Sequence, residues 1–179
     1  TIAFFSVTYS LPPRIKKYLF INQIWISIPR GLITILAAWS VFGNPFNSTP
    51  IIIGLISTIF LVGGMATKDI IDMEADKKTG IKTLMNTFGT KKTALICLPF
   101  LIVPFLLIPF FISLHFLEWY FWPLTFMIIP SCLIFYKMKN VLKNNFLENT
   151  SAWSFMYAEY MILALGISLC IIFNNYFFN

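Results

Sequence analysis

The sequence predicts an all-α protein, a polytopic bundle of transmembrane helices. Three observations predict it. Hydrophobic residues make up 58% of the chain and charged residues 11%, with a mean hydropathy of +0.80, whereas a soluble domain carries about 25% charged residues. The apolar residues gather in runs close to the ~20 residues that a helix needs to cross a bilayer. The cations are confined to alternate links between those runs, the pattern of loops retained on the cytoplasmic side of a cell membrane. The net charge of +6 therefore reads as membrane topology, and nucleic acid is not an expected partner.

The elements follow in order. Residues 1–9 are apolar but about half of a spanning length, and read as the end of a helix. The chain opens at Thr1 without an initiator Met, so the expectation is a fragment of a larger protein. Ser10-Leu11-Pro12-Pro13-Arg14-Ile15-Lys16-Lys17 is a surface loop, because adjacent prolines break helices. Residues 21–43 form the first complete span, ending at Gly43. A polar link leads to Pro50, which suits a first helical turn. Residues 50–68 form the next span, and its helical pattern continues through an acidic stretch to about Lys78. Residues 79–91 are expected to be a polar loop.

Residues 92–113 form a span containing Pro99, Pro104 and Pro109, whose freed backbone groups neighbouring helices can satisfy. After a link holding His115 and Glu118, residues 119–136 span again. Residues 137–150 are a basic, polar loop, and residues 152–173 are the last span. No repeat or linker divides the chain, so residues 1–179 are one transmembrane domain. Cys97, Cys132 and Cys170 lie inside apolar runs, match no zinc spacing and read as packing residues.

Charge placement supports this layout. Of thirteen Lys and Arg, Arg14, Lys16 and Lys17 lie in the first loop, and Lys68, Lys77, Lys78, Lys82, Lys91 and Lys92 follow the second complete span. Lys137, Lys139 and Lys143 lie in the last loop. If the helices alternate in direction, all twelve fall on one side of the membrane. The thirteenth, Arg30, sits inside a span. So does Glu159, and intramembrane charges pair with one another or line a cavity. Both are therefore expected to face the bundle interior.

The acidic stretch is the most informative segment. Four of the seven acidic residues lie between Asp69 and Asp76, beside a bilayer, where charge is costly. Asp69, Asp72 and Asp76 follow D-x-x-D-x-x-x-D, which places them on one helix face within an arc of roughly 60°. Like charges so close repel unless a cation lies between them. This points to a divalent-metal site at a membrane surface. An EF-hand is excluded, because Lys77 stands where its glycine belongs and Thr83 where its last glutamate belongs. A solvated, mixed-charge helix end is the simpler alternative, but it does not explain three aspartates on one stripe.

The wider context is more specific. Lys68-Asp69-x-x-Asp72-x-Glu74-Ala75-Asp76 leads into Gly80-Ile81-Lys82-Thr83-Leu84, then Phe88-Gly89-Thr90-Lys91-Lys92. This resembles the second aspartate-rich motif of the UbiA superfamily of intramembrane prenyltransferases, K-D-x-x-D-x-E-G-D-x-x-x-G-I-x-T-L with a later G-x-K-K-A. Ala75 replaces a frequent Gly and Met85 a common Pro, and neither change removes a metal-binding group. Tyr9-Ser10-Leu11-Pro12-Pro13-Arg14-Ile15-Lys16 resembles the family's Y-S-x-P-P-x-x-x-K loop, and Ile28-Pro29-Arg30-Gly31 falls inside the following helix, as in some archaeal-type members. The resemblance covers essentially the whole chain. Nothing before Asp69 is acidic, so the family's first motif, N-D-x-x-D-x-x-x-D, is missing, and the chain is expected to correspond to the C-terminal part of a nine-helix bundle and to be inactive alone.

The resemblance implies a prenyltransferase that moves an isoprenoid chain from a prenyl diphosphate to a hydrophobic acceptor, with Mg²⁺ as cofactor. Carried over residue by residue, Asp69, Asp72 and Asp76 bind metal, with Asp72, Asp76 and Lys68 in the catalytic role. Tyr9, Arg14, Lys16 and Lys82 contact diphosphate. Arg30 and Glu159 are cavity candidates on other grounds, as embedded charges expected near each other or near the acceptor. Lys16, Lys17, Lys68 and Lys82 could equally anchor loops at lipid headgroups. The acceptor is not readable: a lipid such as geranylgeranylglyceryl phosphate, 4-hydroxybenzoate, a naphthoate-type quinone precursor and a haem or chlorophyll-type ring all remain open. A transporter would keep its cation site near mid-bilayer, and a CDP-alcohol phosphotransferase would carry a D-G-x-x-A-R element, which is absent. A purely structural membrane subunit is the remaining alternative.

Overall fold

The computed structural model describes residues 2–141 and 150–177, and these are mostly helical, joined by turns and short irregular links, with no strand among them. Lys143 lies outside the described residues. Seven main helices follow one another among the described residues, with a short 3-10 turn at Ile15–Lys17 between the first two: α1 (Ile2–Ser10), α2 (Ile21–Trp39), α3 (Ser48–Thr67), α4 (Asp69–Thr79), α5 (Leu84–Ser113), α6 (Trp119–Lys139) and α7 (Ser151–Phe177). Of these, α2, α3, α5, α6 and α7 are long and apolar enough to cross a membrane. The fold is the helical membrane bundle that the composition predicts.

Helix α3 is the central post. It packs on α2, α5 and, more lightly, α7, and Ile53, Ile56, Phe60, Leu61, Gly63 and Gly64 are all buried. Between α3 and α5 the fit is close: a Cβ on Gly63 would lie 2.8 Å from Phe100 Cβ and 2.9 Å from the Cys97 carbonyl oxygen. Phe60 and Phe105 stack with centroids 5.5 Å apart, and both are fully buried. The other spans turn large apolar side chains outward, such as Leu165, Leu169 and Ile172 on α7 and Leu106 and Phe110 on α5. Lipid tails are as apolar as these side chains, so an outward leucine costs nothing in a bilayer.

Helices α2 and α5 depart from regular α geometry, and α3 ends in a 3-10 turn at Met65–Thr67 just ahead of the acidic helix. In α2, Pro29–Ile33 forms a π turn. It frees the Leu32 N–H to donate to Thr58 Oγ1 on α3 at 2.8 Å, and Thr34 Oγ1 donates to the Pro29 carbonyl at 2.7 Å. In α5, Gly89 stands at φ 76, ψ 167, backbone that is open almost only to glycine. The chain thus makes one helical turn from Leu84, breaks at Gly89, and only then enters the long span. Where the sequence suggests a loop over 79–91, the irregular part is confined to residues 80–83 and the Gly89 break.

The reason is local hydrogen bonding. Gly80 adopts the left-handed conformation at φ 70, and the Ile81 N–H bonds back to the Asp76 carbonyl at 3.0 Å, a Schellman close of α4. Thr83 then caps α5. Its Oγ1 accepts from the Asn86 N–H at 3.3 Å, while its own N–H donates to Asn86 Oδ1 at 2.9 Å. Asparagine here plays the part that Glu or Gln plays in the usual capping box. Thr93 Oγ1 donates to the Leu84 carbonyl at 2.8 Å, tying the first turn of α5 to the long segment beyond the break.

Candidate functional site

Four segments meet around a cavity of about 170 Å³. Helix α4 presents Asp69, Asp72 and Asp76 to it, with Lys68 just ahead of them and Ile81 and Thr83 from the turn that follows. The end of α1 supplies Tyr9, the loop behind it Lys16, and the first turn of α2 Asn22. The local fold explains the arrangement. Ile70 and Met73 are buried and dock α4 on the bundle, which leaves the aspartate stripe facing the cavity, while Glu74, Lys77 and Lys78 are exposed. The Schellman turn at Gly80 then brings Ile81 and Thr83 back over the same space.

The three carboxylates are not equivalent. Lys68 Nζ sits 3.0 Å from Asp72 Oδ2, one helical turn away, and both side chains are about half exposed. Asp69 is more enclosed: its Oδ2 is closed off from solvent and has no hydrogen-bond partner. Burial pushes its carboxyl up from 3.8 to about 7; the charges of Asp76 and Asp72 act in the same direction and Lys68 opposes them. Asp76 is raised by burial and then by Asp72, with Lys68 and Lys16 opposing. Electrostatically, the stripe lacks positive charge.

Among the described residues no three His, Cys, Asp or Glu side chains converge tightly enough to form a metal cage on their own. The aspartates line a shared space instead. This donor set fits Mg²⁺, which takes oxygen ligands, is commonly held by one or two carboxylates and completes its shell with water and substrate phosphates. Asp69 Oδ2, sealed and unpartnered, is the atom that most clearly lacks such a partner.

Of the other residues singled out by the sequence, Arg14 and Lys82 are exposed and do not line this cavity. Arg14 lies in the left-handed region at φ 55, just after a cis Pro12–Pro13 bond. Arg30 and Glu159 point to different places: Glu159 faces the bundle interior as expected, but Arg30 is exposed rather than turned into the bundle, because the π turn aims it at the rim of a cavity. Arg30, in the π turn, donates to Tyr157 Oη at 2.7 Å, and its carbonyl accepts from Tyr160 Oη at 2.6 Å. It lines a second cavity of about 320 Å³ with Phe5, Tyr9, Trp25 and Pro29. Tyr9 thus borders both cavities. Glu159 is buried in the core, where Ser131 Oγ lies 2.7 Å from its Oε1 and 2.9 Å from the Leu101 carbonyl oxygen.

Sequence reasoning does not find Asn22, Ile81 or Thr83. The signal for Thr83 is present in the Thr83-x-x-Asn86 capping pattern. Asn22 carries no charge and fits no motif that points to it.

A family model described as the UbiA prenyltransferase family matches residues 1–174. The chain belongs to this family. As a UbiA family member it is an integral membrane protein, in keeping with its five membrane-length helices. The chain is similar to 2-acyl-4-prenylphloroglucinol 6-prenyltransferase, chloroplastic, of Humulus lupulus, with 29% identity over 176 residues. The match covers 86% of this chain but 41% of the hop protein, so the chain spans less than half the length of that relative. No solved structure matches it. The acidic helix, the Tyr9–Lys16 loop and the Gly89 break all fall within the part matched by the family.

Proposed function

We propose that this chain forms the second half of the diphosphate-binding machinery of a membrane prenyltransferase, which moves an isoprenoid chain from a prenyl diphosphate to a hydrophobic acceptor with Mg²⁺. The observation that carries the proposal is the 170 Å³ cavity bounded by Asp69, Asp72 and Asp76 on one helix and by Lys68, Lys16 and Tyr9 beside it. A bare cation site has little use for lysines, whereas a site for a cation together with a diphosphate uses both signs of charge.

Asp69, Asp72 and Asp76 would hold Mg²⁺. When bound, Mg²⁺ supplies Lewis-acid and electrostatic stabilisation of the negative charge that builds on a leaving diphosphate. Lys68 and Lys16 direct ammonium groups at the diphosphate oxygens, and the Tyr9 hydroxyl adds a donor. Arg14 and Lys82 are further diphosphate candidates by motif alone. Lys68 also serves the ligand-free site, where its ammonium screens Asp72. It turns to phosphate once a divalent cation takes over that carboxylate.

The neighbouring cavity, walled by Phe5 and Trp25 and bordered like the first by Tyr9, suits the acceptor, with Arg30 available to an oxygen or anionic group on it. The acceptor is aromatic or lipid in class. Glu159, held by Ser131 between α6 and α7, borders neither cavity and is given no part in the chemistry. The charge census supports a cytoplasmic location for the acidic cluster in the cell membrane. Transport is the weaker reading, because the carboxylates follow the end of α3 instead of lying at mid-span.

The test uses the full natural protein in detergent or lipid. It should consume an allylic diphosphate in a Mg²⁺-dependent manner, and Asp72→Asn and Asp76→Asn should each lower turnover by roughly 10²–10³ or more. Undiminished turnover in both variants would overturn the proposal.

A further inference from the structure

We infer that Asn22 is a further oxygen ligand of the divalent cation, its side-chain Oδ1 joining Asp69 Oδ2 on the cavity wall. This rests on the cation site proposed above and extends it to a second helix. Three observations carry it. Asn22 lines the same cavity as the aspartate stripe. It is 5% exposed, so its amide is removed from water. Its Oδ1 has no hydrogen-bond partner, and neither has Asp69 Oδ2.

A buried polar atom without a partner costs about 1–3 kcal/mol, and native proteins rarely leave one so unless something else supplies the bond. Eight such atoms occur among the described residues, and two of them border this one cavity. With Asp69 ionised both are acceptors and cannot satisfy each other, so what satisfies both must be a donor or a cation. An amide carbonyl and a carboxylate are oxygen ligands of the kind that hard divalent cations take. The charges favour the cation: Asp69 stands among Asp72 and Asp76, and among the described residues the one ammonium in salt-bridge contact with the stripe is committed to Asp72.

The arrangement also divides the labour. Asp69, Asp72 and Asp76 belong to one helix and could bind a cation without reference to the rest of the bundle. A ligand from α2 ties the cation to the helix that carries Arg30, so occupancy of the cavity would fix α2 against α4. Asn22 would act on affinity and on position together.

The experiment titrates Mn²⁺, as a paramagnetic substitute for Mg²⁺, into the purified chain in nanodiscs with inorganic pyrophosphate. Free Mn²⁺ is read by electron paramagnetic resonance, and the melting temperature is measured with and without metal. Asn22→Leu should weaken Mn²⁺ binding about ten-fold or more and leave the metal-free melting temperature equal or higher, because it removes an unsatisfied polar group. Asn22→Asp should bind Mn²⁺ as tightly as the wild type or tighter.

Unchanged Mn²⁺ affinity in Asn22→Leu overturns the inference while leaving the aspartate site standing. A fall in the metal-free melting temperature of Asn22→Leu, with no recovery of affinity in Asn22→Asp, also overturns it by making the amide a structural group. A wild-type chain that binds no Mn²⁺ in the presence of pyrophosphate removes the cation reading itself, and the role of Asn22 with it.

Discussion

Helix α3 and helix α4 are almost continuous in sequence, yet they are finished to different standards. Around α3 the bundle is dry and closely fitted: Phe60, Leu61, Leu101 and Phe105 are essentially inaccessible, and Gly63 leaves no room for a methyl group. A few residues later, around α4, there is an open cavity, a run of like charges and at least two acceptor atoms without partners. The core near Gly63 is closely fitted although Ser57 Oγ on α3 is itself unpartnered, whereas around α4 two unpartnered atoms share one charged cavity. Strain and incomplete satisfaction persist at sites where they serve a function, so the contrast separates the structural part of the molecule from the working part.

The contrast is broken most forcefully at Phe60. Phe60→Ala should lower stability by roughly 3 kcal/mol, mainly through the cavity it leaves, and should not change Mn²⁺ affinity in the preparations that remain folded. Thermal melting and metal titration of the same samples check both halves. A variant that melts like the wild type would show that the core is not the stabilising region.

The next effect has the opposite sign. Asp69 has its folded-state carboxyl raised from 3.8 to about 7. The folded state therefore holds a proton that the unfolded chain gives up, and folding loses stability as pH rises through that window. Without divalent cation, the melting temperature should fall from the acidic to the neutral side of this range. Asp69→Asn should flatten that slope and raise metal-free stability above pH 7 by on the order of 2 kcal/mol. Saturating Mg²⁺ should flatten it in the wild type. A wild type and an Asp69→Asn variant with parallel pH profiles would refute this account of the carboxyl.

The smallest effect sharpens the comparison at its edge. The Lys68–Asp72 pair is half exposed, so Lys68→Met should change stability by less than about 1 kcal/mol. It should nevertheless raise affinity for Mn²⁺ alone and lower affinity for pyrophosphate, as read by isothermal titration. If both affinities fall together, Lys68 does not exchange partners.

How much of this is legible in the sequence follows from the contrast between charge and shape. The helix bundle and the aspartate stripe are visible because carboxylates stand out in a chain with so few charges. Tyr9 and Lys16 become visible through a motif, and the structure brings both to the cavity that the aspartates line. Asn22 is not visible, since an amide near a helix start looks like any solvated cap until its neighbours are known. The break at Gly89 is hidden as well: the glycines, lysines and threonines of 79–91 suggest one loop, but the Thr83–Asn86 cap holds residues 84–88 in a helical turn. Arg30 and Glu159 are each readable as embedded charges, but their partners, Tyr157 and Ser131, depend on helix rotation, which the sequence does not express.

The π turn in α2 has a consequence for phase. A π turn holds one more residue than the α turn it replaces, and one residue of helix corresponds to a rotation of ~100°. The half of α2 that carries Asn22 is therefore rotated relative to the half at Thr34–Trp39, which packs on α3, compared with an uninterrupted helix. Deleting one residue between Pro29 and Ile33 would restore regular helix and would also put the two halves out of step, so that Asn22 could face the cavity or Thr34–Trp39 could keep its seat on α3, but not both. The extra residue thus acts as a fixed offset between the polar end of the helix and its anchored end.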